Sequence, residues 1–108
     1  MNNELLTASS PAVVAIVAGI QSIFDLGALG AGAFTVEVSE GPRHLKLIRK
    51  NASPSSGLTR SAYAFIDRRN GDLLKAASWA SPAKGARGNI HAPDALRTAT
   101  PYGFGYAR

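Results

Sequence analysis

The sequence predicts an α+β fold: an N-terminal helix packed on a four-stranded antiparallel β-meander, with an irregular C-terminal tail. Three observations predict it. Apolar residues recur at spacings of three and four between Val13 and Phe24, the period of one helix face. Alternating apolar and polar segments follow, joined by short turn sequences, as in hairpins. After Trp79, prolines and glycines recur too closely for a long helix or a central strand. The length of 108 residues, with 45% hydrophobic and 18% charged residues, fits one globular core. Residues 1–9 show no periodicity and are expected to form a flexible terminus, leaving 10–108 as a single α+β domain.

The helix is expected from Pro11 to Leu26. Ser10 before Pro11 is a start signal, because the Ser hydroxyl can accept a backbone N–H and Pro has none to leave unpaired. Val13, Val14, Val17, Ile20, Ile23 and Phe24 line its apolar face, and Gln21, Ser22 and Asp25 fall on the other. Its β-branched residues lower helix propensity, so it should depend on packing against the sheet. Gly27, Gly30 and Gly32 follow a helix and do not open one, so they read as a connector and not as a phosphate-binding loop.

Residues 34–38 and 44–50 form a first expected hairpin, turned by residues 39–42, and residues 51–57 form a polar loop. A second hairpin pairs Ser61–Asp67 with Asp72–Trp79 across Arg68-Arg-Asn-Gly71. A three-residue loop with Gly71 left-handed is the preferred form. It sets Phe65 opposite Lys75 and gathers Tyr63, Phe65, Lys75 and Trp79 on one face, with Ala62, Ala64, Ile66, Leu74 and Ala76 on the other. In the tail, residues 93–97 read as a single helical turn, and Tyr102, Phe104 and Tyr106 alternate as in a short edge strand.

Charge is divided along the chain. Residues 1–42 carry four acids and no Lys or Arg, whereas residues 43–108 carry all twelve Lys and Arg against three Asp. Such a division points to a polyanion partner, since cations that neutralise phosphates release condensed counterions. The chain has no cysteine and two histidines, His44 and His91, so no metal site is expected, nor any cofactor. Gln21, Ser22, Asp25 and the glycines from Gly27 interrupt the apolar stretch 12–34, and no membrane span is expected. Without a basic residue ahead of that stretch, it is not expected to be an export signal either.

No catalytic constellation emerges. Asp67 and Asp72 flank a turn, where carboxylates usually cap or are solvated, and no Gly-x-Ser-x-Gly elbow accompanies the histidines. Nucleic-acid binding needs simpler ingredients, namely cations beside aromatic rings on which bases stack. The candidate residues are His44, Lys46 and Lys50 on the first hairpin, Tyr63, Phe65, Lys75 and Trp79 on the second, and Lys84 and Arg87 in the tail. The competing reading makes Tyr63, Phe65 and Trp79 core residues, since one sheet face must lie under the helix. An open sheet edge and an apolar helix also suit a homo-oligomer.

Phe65-Ile-Asp, the run Asn70-Gly-Asp-Leu-Leu-Lys-Ala-Ala-Ser-Trp79, Pro82-Ala-Lys84, Arg87-Gly-Asn-Ile90 and Tyr102-Gly103 together resemble a pattern in small uncharacterised bacteriophage-encoded proteins. The resemblance covers residues 61–108 and implies a viral protein, in the host cytoplasm or the virion, without transferring any catalytic or binding residue. The expected function is therefore a small non-enzymatic protein that binds single-stranded DNA or RNA with low sequence specificity. The alternative is a virion structural or host-protein-interaction protein.

Overall fold

The computed structural model describes residues 5–27, 34–53, 57–100 and 103–104. Helix α1 (Pro11–Asp25) precedes β1 (Phe34–Glu40), β2 (His44–Ser53), β3 (Gly57–Asp67), β4 (Asp72–Ala76) and β5 (Pro82–Asn89). These five strands form one antiparallel sheet in the order β1-β2-β3-β4-β5. Two short strands, β6 (Ala99–Thr100) and β7 (Gly103–Phe104), make a separate ribbon. The α+β class and the sequential antiparallel order are as expected. The sheet has five strands and not four, because the first part of the expected irregular tail pairs with β4 as β5. Pro82 is tolerated there as the first residue of an edge strand, and Gly85, at φ +88, sits where the register shifts. Among the described residues no helix is long and apolar enough to cross a membrane.

The helix buries Val13, Ile16, Ile20 and Phe24, one stripe at spacings of three and four. Val14, expected on that face, is 52% exposed. Gln21, expected to face solvent, turns to β1: its side chain donates to the Phe34 carbonyl at 2.9 Å and accepts from the Val36 N–H at 3.1 Å. One amide thus satisfies two backbone groups of an edge strand. Ser10 does not cap the helix; its hydroxyl accepts the Thr7 N–H at 2.9 Å. Of the expected flexible terminus, the described part from Leu5 onward is hydrogen-bonded to the β3–β4 loop and to the end of β1. Leu6 exchanges bonds with the Arg68 carbonyl and Nε, and Ala8 N–H donates to Glu40.

The core lies between the helix and one sheet face. Leu45, Leu47, Ala64, Ile66 and Leu73 point into it, and Ile90, Ala95 and Phe104 close its far side. Residues 93–97 lie in successive four-residue turns, with Ala95 N–H on the Ala92 carbonyl and Arg97 N–H on the Asp94 carbonyl, and form no helix. They lie so close to β5 that a Cβ on Gly88 would be 2.9 Å from the Ala95 carbonyl oxygen. The expected alternation of Tyr102 and Tyr106 lies outside the described residues.

Two register features decide which side chains face away from the helix. The β3–β4 loop holds four residues, because Ile66 pairs with Leu73, Phe65 with Leu74 and Ala64 with Lys75. Asp67 fixes this loop: its carboxylate accepts the Arg69 N–H at 2.9 Å, its carbonyl accepts the Gly71 N–H at 2.8 Å, and Gly71 turns left-handed at φ +83. The second feature is a bulge. Leu47 pairs with Ala64 but Ile48 with Ala62, so Tyr63 is the extra residue and leaves the strict alternation of β3.

Candidate nucleic-acid interface

The sheet face opposite the helix is built from alternate residues of the central strands. Cross-strand pairing puts His44 with Asp67, Lys46 with Phe65, and Lys50 with Arg60, while their neighbours Leu45 and Leu47 point to the core. Strand β4 ends at Ala76, so Trp79 lies in the β4–β5 loop and not on the strand where the alternation places it. That loop closes on itself through Ala77 and Ser78 N–H bonds to the Ser81 carbonyl at 3.0 and 3.1 Å. Trp79 returns over the outer face, with Lys46 Nζ 3.9 Å from its ring centroid and the Arg60 guanidinium at 5.8 Å. On this face Phe65 and Ile48 are only 3% and 1% exposed although they point away from the helix. Trp79 itself remains 47% exposed.

Four of the nine candidate residues therefore come together: His44, Lys46, Phe65 and Trp79 border one recess of about 410 Å³. The His44 and Phe65 rings meet edge to face, 6.0 Å apart at 80°. Lys50 is on the same face, 3.4 Å from Glu37, which also accepts from Arg60 at 2.9 Å. These ion pairs are partly exposed, with side chains from 32% to 44% accessible. Pairs of this kind are worth about 0.2–1 kcal/mol, so a phosphate can compete with Glu37 for both cations.

The other candidates are placed elsewhere. Tyr63 is a core residue: its ring packs edge-on against Phe24 at 5.1 Å and near Phe104 at 5.6 Å, and its hydroxyl donates to the Thr100 carbonyl at 2.7 Å. Burial raises its phenol well above the ordinary value, against the opposing charge of Arg49. The bulge sends it inward. Lys75 sits opposite Ala64, not Phe65, so the one-residue register difference moves it to the helix side of the sheet. Lys84 is exposed on β5, three strand spacings from β2, about 14 Å. Arg87, also on β5, borders a second recess of about 360 Å³ with Asp94, Arg97 and Thr98, apart from Trp79.

Sequence reasoning missed Arg43 and Arg60. Arg43 borders the recess from the β1–β2 turn. Arg60 reaches the outer face because β3 begins at Gly57, four residues earlier than its alternation suggests, and because the bulge resets the parity beyond Tyr63. Neither strand start nor bulge has a signature in the residue pattern. Asp67 and Asp72, the two carboxylates that flank the turn, find separate partners. Burial pushes the Asp67 carboxyl up, but the Arg69 backbone N–H, its side chain and charge, and the charge of Arg43 together hold it below its ordinary value. Asp72 accepts from the Asn89 amide at 3.0 Å. Among the described residues no group of three or more acids, histidines or cysteines could hold a metal ion.

Comparison with curated proteins and with solved structures finds no match. A family of unknown function (DUF7717) matches residues 24–100, which span β1 to β6 and every residue of the outer face named above, and the chain belongs to that family.

Proposed function

We propose that the protein binds single-stranded nucleic acid, with low sequence selectivity, through the outer face of its sheet. The observation that carries this reading is the half-exposed Trp79 flanked by Lys46 and Arg60 on a face that also holds His44, Lys50 and Arg43. An aromatic plane among cations offers a base a stacking surface and its phosphates counter-charges, and neither depends on base identity. The division of charge supports the same partner, since every one of these cations lies after residue 42.

The chain has one tryptophan, which reports on this face directly. Its fluorescence should change on titration with single-stranded DNA or RNA at low salt. Affinity should fall by roughly 0.7 log units per log unit of salt for each phosphate engaged. Trp79→Ala, followed by anisotropy of a labelled oligonucleotide, should weaken binding by about 1–3 kcal/mol. A protein that binds neither nucleic acid at low salt does not have this function.

A further inference from the structure

The recess beside Trp79 has features that a general cationic face does not require. The β1–β2 turn bounds it on one side, through Gly41, Pro42 and Arg43, and Trp79 and Ala80 bound it on the other, with Phe65 between them. Its volume, about 410 Å³, falls at the small end of the roughly 300–1,000 Å³ of small-molecule sites. It can take one nucleotide and not several. Two cations, Arg43 and Lys46, line it, and no carboxylate does, so it suits an anion. The second recess, by contrast, includes Asp94. Aromatic walls and an excess of positive charge in one small hollow select a ligand that is both planar and anionic.

We propose that this recess is a one-nucleotide site, which takes a nucleoside monophosphate with its base against Trp79 and its phosphate on Arg43 and Lys46. The nucleotide can be free or the unstacked member of a strand, so the inference rests on the outer face being a nucleic-acid surface and adds the unit that it recognises. Lys46 Nζ, 3.9 Å from the Trp79 centroid, lies over one face of the ring. A base that stacks there replaces that cation–π contact and leaves the ammonium to the phosphate, so the charge is kept within the site.

The test is titration of the Trp79 fluorescence of the full chain with AMP, adenosine, inorganic phosphate and a short oligo(dT). AMP should quench it saturably. Adenosine, which keeps the ring but lacks the phosphate, should bind roughly tenfold more weakly, and inorganic phosphate should leave the signal unchanged. Arg43→Gln should lower AMP affinity toward that of adenosine without reaching it, since Lys46 still meets the phosphate. Arg43 is exposed, and it is its backbone carbonyl that accepts the Arg68 N–H, so the substitution spares the turn; an unchanged thermal midpoint checks this. Quenching by oligo(dT) without any by AMP at millimolar concentration overturns the one-nucleotide site and leaves the outer-face reading standing. Quenching by AMP alone keeps the site and removes the strand-binding reading. Silence with both removes both, and equal affinities for AMP and adenosine refute the phosphate contacts.

Discussion

The two faces of this sheet are made from the same strands, one residue apart, and they differ in almost every property. On the helix side, Leu45, Leu47, Ile66 and Leu73 are fully buried, and the rings of Phe24, Tyr63 and Phe104 pack on one another. On the outer side, Phe65 and Ile48 are also buried, but the ring beside Phe65 is Trp79, which is half-exposed and carries the cations of Lys46 and Arg60 over it. The comparison teaches that an aromatic residue in a small domain has two destinations, set by register. Tyr63 and Phe65 are two residues apart, and strict alternation would put them on one face; the bulge separates them.

The difference can be broken by substitution. The largest effect is expected from Phe24→Ala, which empties a site 1% exposed where the last turn of the helix packs on Phe34 and Tyr63 and should cost about 3–5 kcal/mol of unfolding free energy in a denaturant titration. Trp79→Ala should cost clearly less in the same measurement. Equal losses would make the outer face a second core and not a binding surface. Next comes Gly88→Ala, whose Cβ would meet the Ala95 carbonyl oxygen at 2.9 Å and push the 93–97 turns off β5. A loss of about 1–3 kcal/mol is expected.

Tyr63→Phe is a smaller change. It removes the hydrogen bond to Thr100 and should cost about 0.5–1.5 kcal/mol at neutral pH. Because folding raises the Tyr63 pKa above its ordinary 10.0, its contribution is complete below that pH and is lost as pH rises beyond it. Alkaline unfolding curves should therefore fall more steeply for the wild type than for Tyr63→Phe. Asp67 has the opposite sign. Its carboxyl is lowered from 3.8, so its contribution is present above that value and is lost as pH falls through and below it. Asp67→Asn should flatten the acid limb of the stability profile.

Much of this fold is legible along the chain, and the misses have local causes. The helix was readable to within one residue at its end, since its core stripe repeats over four turns. The meander was readable because short turns leave sequential strands adjacent. Strand β5 was hidden by Pro82, Gly85 and Gly88, which read as breakers but are compatible with an edge strand carrying bulges. Of the site, His44, Lys46, Phe65 and Trp79 were found as residue types, although Trp79 was placed on a strand that ends before it.

The residue pattern by itself determined the α+β class, the antiparallel order and the concentration of positive charge after residue 42. All three follow from composition and period, which tertiary contacts do not alter. Only the tertiary structure decided which aromatic ring is core and which faces outward. That choice depends on one-residue offsets: the four-residue loop held by Asp67, which moves Lys75 to the helix side, and the bulge that turns Tyr63 inward. A strand's side chains alternate with period two, so each offset exchanges the faces of everything beyond it. Offsets are selected by the sum of packing and hydrogen bonds across the whole sheet, and no short stretch of sequence contains that sum.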